Sequence, residues 1–159
     1  MSNPFGPGDA GQHVWNYFQM HAAQRMSVFN FFLVISALVA AGLAAALQGS
    51  VRFAAFGIPL GLLLVLIAFV FWKLDQRTSH LIKHAEQALK ELEHTFPGAA
   101  FHLFLTEPTK TMDAVRTGNW WTRPWTYGKS FRLVFGVMAV AGSVGSAIAA
   151  ARSFGVLTW

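Results

Sequence analysis

The sequence predicts an all-α integral membrane protein, and three observations support this fold class. Of the 159 residues, 54% are hydrophobic and 12% are charged, whereas soluble domains carry about 25% charged residues. Three long windows of the chain contain no Asp, Glu, Lys or Arg. Each window is long enough for a helix to cross a bilayer, which takes about 20 residues. A soluble fold would leave three such helices with almost no polar shell.

The first two windows predict a transmembrane helical hairpin over residues 26–73. We place its spans at 28–48 and 53–72, where the sequence carries no formal charge. The link between them, QGSVR, is so short that it forces the two helices to run antiparallel.

The third window, 133–151, predicts a third span within a C-terminal region of residues 131–159. The alternative is two spans, with this segment lying at the membrane surface. Before the first span, residues 1–25 predict a loose arm followed by an amphipathic helix. Aromatic residues just before a span favour the headgroup region, so we expect this helix to lie at the interface. Otherwise the first span simply begins with an amphipathic turn.

Segment 74–130 combines a long helix with a connector rich in Trp. No helix breaker follows span 2 until Pro97, so one helix is predicted to continue from 53 to about 96. Beyond the membrane its apolar residues recur at alternating steps of four and three, as in a coiled-coil seam. The residues of this predicted oligomer seam are Leu81, Ala85, Ala88 and Leu92.

A polar stripe runs beside the seam at the same spacing. We interpret four of its residues as pore or gate candidates, namely Arg77, His80, His84 and Glu91. Histidine is the side chain that most often responds to pH near neutrality and that most often binds metals. The alternative is a solvated helix face, which is common on amphipathic helices.

Small residues at intervals of four predict close packing between the spans. The span-packing residues are Gly57, Gly61, Gly142 and Ser146. Because three spans per chain do not use every such face, we predict a homo-oligomer. Packing within one three-helix unit alone is the alternative.

Aromatic and cationic side chains near the ends of the spans predict a belt among the lipid headgroups. The predicted interface belt consists of Trp15, Trp120, Trp121, Trp125 and Arg123. A ligand-binding aromatic pocket is the alternative explanation for these residues.

The distribution of Lys and Arg predicts the orientation of the chain. Nine of the 12 Lys and Arg residues lie in segment 73–132. The positive-inside rule therefore places this segment and the N-terminus in the cytoplasm. We expect a multi-pass protein of the bacterial inner (plasma) membrane, and its net charge of +5 needs no nucleic-acid partner.

Several kinds of chemistry are missing from the sequence. There is no Cys, which excludes disulfides and thiolate metal sites. The three windows contain no ionisable residue, whereas proton-coupled transporters usually need one inside the membrane. No nucleophile motif or phosphate-binding loop occurs. We therefore predict a protein that is not an enzyme, with no catalytic residue, metal or cofactor.

Three segments carry a resemblance to a known group. They are the helix WNYFQMHAAQRMSVFNFF, the link QGSVR and the helix LDQRTSHLIKHAEQALKELE, which together cover about residues 13–96. This layout resembles the small prokaryotic membrane effectors of antiviral defence of the SLATT type. It is also similar to the membrane accessory proteins of RNA-targeting CRISPR systems. The third span departs from the two-span plan.

The resemblance implies a self-assembling pore or membrane-perturbing effector that is gated through its cytoplasmic segment. The implied partners are the lipid bilayer, further copies of the chain, and a soluble defence protein or a nucleotide signal. The alternative is a passive anchor or adaptor that docks a soluble partner through residues 97–130. An auxiliary subunit of a membrane complex is a further alternative.

Overall fold

The computed structural model describes residues 7–95, 102–107 and 125–156, and every element within these ranges is an α-helix. The helices are α1 (Pro7–Gln48), α2 (Val51–Glu93), the short α3 (103–107) and α4 (Tyr127–Ser153). Helices α1, α2 and α4 are each long and apolar enough to cross a membrane. The predicted all-α membrane fold with three spans is therefore confirmed.

Helix α1 continues without a break through Arg25 into the first apolar window. No Pro or Gly occurs between residues 12 and 41, so nothing in this stretch interrupts the backbone hydrogen bonds. The amphipathic helix predicted within residues 1–25 and the first span thus form one helix. The placement of its N-terminal part at the membrane surface stays a prediction.

The chain divides into two compact units. The polar unit comprises Met1–Arg25 and Arg77–Thr126, and the apolar unit comprises Met26–Gln76 and Tyr127–Trp159. Each unit therefore contains parts of α1 and α2, and the apolar unit contains all of α4.

An aromatic cluster joins the three helices of the apolar unit. The buried core consists of Phe32 from α1, Ala68 from α2, and Phe131 and Phe135 from α4. Phe29 stacks on Phe131 with the ring centroids 3.9 Å apart, and Phe32 meets Phe135 edge-on at 4.7 Å. Aromatic pairs of this kind contribute about 0.5–1.5 kcal/mol each beyond the burial of their area.

The polar unit has a smaller apolar core, formed along one face of α2. Its buried residues there include Ile82, Ala85 and Leu89. From α1, Phe18 meets Phe104 of α3 edge-on, with the ring centroids 5.6 Å apart. Residues from α1, α2 and α3 therefore meet in this unit.

Candidate functional site

The predicted pore or gate residues lie along one side of α2. Arg77, His80, His84 and Glu91 are all exposed in the single chain, and their steps of three, four and seven keep them on one face. The part of the chain that the structure describes holds no group of three or more His, Asp or Glu side chains arranged for a metal ion. The stripe is thus available to solvent, a ligand or another copy, and its role in a pore stays a prediction.

A cavity of about 160 Å³ separates α1 from α2 within the polar unit. Its lining includes His84 from the stripe and, from α1, His13 and Tyr17. A water takes up roughly 30 Å³ in the liquid, so the cavity has room for a few waters beside two imidazoles. The sequence did not point to His13, because only the packing of α1 on α2 brings it to the cavity that His84 lines.

The predicted oligomer seam faces α1 of the same chain along part of its length. Ala85 and Ala88 line the cavity described above. A Cβ atom at Gly11 would lie 3.1 Å from Cδ2 of Leu92. Leu81 is half-buried. This face therefore has a partner within the chain, and a seam between chains stays a prediction.

The carboxylate of Glu93 caps the N-terminal end of α3. Its two oxygens accept hydrogen bonds from the backbone N–H groups of Phe104 and Leu105, at 3.0 and 2.9 Å. The first N–H groups of a helix have no partner within that helix, and a negative charge is favourable there. Burial by itself raises the pKa of Glu93, but these hydrogen bonds lower it below its ordinary value of 4.5.

The pKa of Glu86, which lies about two turns before Glu93 on α2, is shifted in the opposite direction. Glu86 is half-buried, and burial is the largest cause that raises its pKa, followed by the nearby carboxylate of Glu107. The cations Lys90 and Lys83 oppose the shift. Both glutamates lie beyond the apolar window of 53–72. The polar unit thus contains two carboxylates whose pKa values are shifted in opposite directions.

The four predicted span-packing residues come together between α2 and α4. A Cβ atom at Gly61 would lie 2.5 Å from the carbonyl oxygen of Gly142 and 2.7 Å from Cβ of Ser146. A Cβ atom at Gly57 would lie 2.8 Å from Cβ of Ala149. The two helix backbones therefore approach so closely that side chains would collide, as small residues at intervals of four allow in membranes.

Two polar side chains of α4 reinforce the apolar unit. The Ser146 hydroxyl donates to the carbonyl oxygen of Ile58 at 3.2 Å. Arg152 is buried, with 6% of its surface exposed, and its guanidinium donates to the carbonyl oxygens of Leu47 and Gly49. The last carbonyls of a helix lack partners within it, and a cation is favourable there. In the sequence, Arg152 directly follows the apolar window 133–151, and this position is the signal that was available.

The predicted interface belt is described only in part. Trp15 is 39% exposed and stacks on Phe18, and Trp125 is 59% exposed. Trp120, Trp121 and Arg123 lie outside the described residues. The belt as a whole stays a prediction.

The geometry defines a class of protein, a membrane-embedded helical bundle whose longest helices continue into a polar unit. The chain belongs to the octameric membrane protein family (8xMP), whose sequence profile matches residues 9–150. This family, and neither the SLATT-type nor the CRISPR-associated group, is the one that the match names.

One curated protein illustrates the relationship. The chain is 39% identical over 133 residues to a protein of Escherichia coli named CD-NTase-associated protein 19, and the match covers 84% of this chain and 85% of that protein. No solved structure matches the chain.

Proposed function

We propose that this chain assembles into a homo-octamer in the bacterial inner membrane and perturbs that membrane as a pore-forming effector of antiviral defence. The observation that carries the proposal is membership of an octameric membrane protein family over residues 9–150. The name of the relative, CD-NTase-associated protein 19, supports a defence system that contains a CD-NTase. In this proposal the protein acts by opening the membrane and catalyses no reaction.

The surface of the apolar unit supports assembly in lipid. Large apolar side chains such as Phe31, Leu38 and Val140 have 60–70% of their surface exposed in the single chain. Apolar surface of this kind requires lipid or further copies of the chain around it. The windows 26–51, 53–72 and 133–151 contain no ionisable residue that could couple transport to protons, which favours a passive opening.

The polar unit supplies the proposed gate. An octamer would contain eight copies of the exposed stripe of Arg77, His80, His84 and Glu91. A ligand or partner that binds this face would therefore act on many charged side chains at once. The proposed trigger is a soluble defence protein or a nucleotide signal, either of which would reach the polar unit from the cytoplasm. The cytoplasmic side for segment 73–132 rests on its Lys and Arg content.

Liposomes test the proposal directly. Purified protein is reconstituted into vesicles of phosphatidylethanolamine and phosphatidylglycerol that contain carboxyfluorescein. The mass of the protein assembly is measured separately in detergent. We expect an octamer and a release of dye that rises with the amount of protein. A monodisperse monomer in tight vesicles would contradict the proposal, whereas an octamer in tight vesicles would mean either a closed gate or the anchor or adaptor. The segment invoked for that alternative, 97–130, lies largely outside the described residues.

A pair of variants tests the gate separately. The double variant His80→Ala/His84→Ala is expected to change dye release at least several-fold while the octamer persists. Lys83→Ala is the matched control, because Lys83 is an exposed residue of α2 that lies outside the stripe. Equal dye release from wild type, the double variant and the control would mean that the stripe is a solvated helix face without a role in gating.

A further inference from the structure

A groove with a volume of about 380 Å³ runs between α2 and α4 in the apolar unit. Its walls are apolar and include Phe69 and Trp72 from α2 and Phe135 from α4. Arg132 of α4 also lines the groove. Trp72 and Arg132 are the members nearest the charged segment 73–132. The groove extends from them to Val65 and Ala139, about 10 Å along each helix at 1.5 Å per residue.

Gly136 keeps this groove open. A Cβ atom at Gly136 would meet nothing within 4 Å, although Gly136 is in the middle of α4. At Gly142, by contrast, a Cβ atom would lie 2.7 Å from the carbonyl oxygen of Gly61. The helices are therefore in close contact on one stretch and leave an apolar groove on the next.

Two cations lie at one end of the groove. Arg132 is exposed. The Nζ atom of Lys73 lies 5.4 Å from the ring centroid of Trp72 and 5.8 Å from that of Phe69, two rings that line the groove. The next acidic residue on α2, Asp75, is buried with 3% of its surface exposed. This end of the groove therefore offers positive charge beside an apolar surface.

We propose that the groove binds an anionic phospholipid, with an acyl chain against Gly136 and Phe69 and the phosphate at Arg132 and Lys73. A helix from a second copy would fill the apolar part, but the windows 26–51, 53–72 and 133–151 carry no carboxylate to meet the arginine. A phospholipid supplies both the apolar chain and the negative charge, and arginine pairs well with phosphate. This binding goes beyond the proposed pore and does not depend on it.

Native mass spectrometry of the detergent-purified assembly tests the site. Palmitoyl-oleoyl-phosphatidylglycerol and palmitoyl-oleoyl-phosphatidylcholine are titrated separately, and the lipids retained per chain are counted. Wild type is expected to retain phosphatidylglycerol several-fold better than phosphatidylcholine. Arg132→Gln should lose this preference, whereas Arg52→Gln should keep it, because Arg52 is an exposed arginine in the hairpin link and not in the groove lining.

A second pair of variants separates a lipid from a protein occupant. Gly136→Leu fills the groove and should lower the retention of both lipids, whereas Gly136→Ala adds one methyl group to open space and should retain them. Lipid retention equal to wild type in Gly136→Leu and Arg132→Gln would overturn the proposal. A changed number of chains in Gly136→Leu, with lipid retention unchanged, would assign the groove to a second copy and would overturn it as well. Should Gly136→Leu fail to fold, the exposed Arg132→Gln still decides the question.

Discussion

Gly61 leaves no space for a side chain at the contact between α2 and α4. A Cβ atom there would lie 2.5 Å from a backbone oxygen, which has less freedom to move than the end of a flexible side chain. We expect Gly61→Ala to force the two helices apart and to destabilise the protein by about 1–3 kcal/mol, the usual range for overpacking. Thermal unfolding in detergent, followed by circular dichroism, measures the change.

Gly136→Ala is the matched control for this prediction. Both glycines lie inside helices, but a Cβ atom at Gly136 meets nothing within 4 Å. Alanine favours a helix over glycine by about 0.5–1 kcal/mol, so this variant should unfold at or slightly above the wild-type temperature. A similar fall in both variants would mean that the close approach at Gly61 is not the cause.

The sequence predicted single residues only where a local pattern carried the information. Gly57 and Gly61 are four residues apart, and this spacing alone indicated close packing. The partners of Arg152 and Glu93 are backbone groups, which have no side-chain signature. The hydrogen bond from Arg152 also spans 105 residues of sequence. Such a contact becomes visible only when the fold brings the ends of α1 and α4 together.

At the scale of elements, α3 depends on a carboxylate from another helix. A helix of five residues is too short to be stable alone. The carboxylate of Glu93 accepts hydrogen bonds from two of the first N–H groups of α3. We expect Glu93→Gln to leave α2 intact and to speed amide hydrogen exchange at Phe104 and Leu105 roughly tenfold or more, since hydrogen bonds to a charged group are worth about 1.5–3 kcal/mol. Exchange at pH 7, followed by mass spectrometry, measures it.

The pH dependence of this contact has a definite sign. The folded pKa of Glu93 lies below its ordinary value of 4.5, so its contribution is fully present above that value and is lost as the pH falls through the lowered pKa. Glu86, whose pKa is raised, contributes in the opposite direction, because its ionised form is disfavoured in the fold. Glu91→Gln is the control, since Glu91 is exposed. Unchanged exchange at α3 in Glu93→Gln would contradict the capping role.

The helices themselves follow from sequence more directly than their packing does. The absence of a breaker after Gly61 predicts that α2 continues beyond the membrane. For residues 1–25 the sequence predicts an interfacial helix before the first span, whereas the structure joins residues 7–25 and the span in α1. The pairing of α1 with α2 in the polar unit could not be predicted. This pairing places His13 and His84 around one cavity, although the spacing of these two positions in the sequence carries no shared pattern.

At the scale of the whole molecule, formal charge lies outside the apolar windows. The apolar windows 26–51, 53–72 and 133–151 carry no formal charge, whereas nine of the 12 Lys and Arg residues lie in 73–132. Within the apolar unit Gly57, Gly61, Gly142 and Ser146 pack α2 on α4 of one chain, so these four residues are not free to hold neighbouring chains together. The proposed octamer therefore needs other surfaces for its contacts, and in the proposed pore the exposed stripe of α2 faces the central axis.

Cross-linking tests whether this stripe faces the centre of an octamer. Because the chain has no Cys, Glu91→Cys creates a single reactive thiol on an exposed position of α2. Each thiol reacts once, so a short bismaleimide should join neighbouring chains into covalent dimers of twice the 17.5 kDa mass of the chain. The dimer yield should be high, because closed symmetry brings equivalent residues together around the axis. Gln19→Cys, exposed on α1, is the control and should give a lower yield of dimer. Equal dimer yields from the two variants would contradict a position of the stripe at the centre of the assembly.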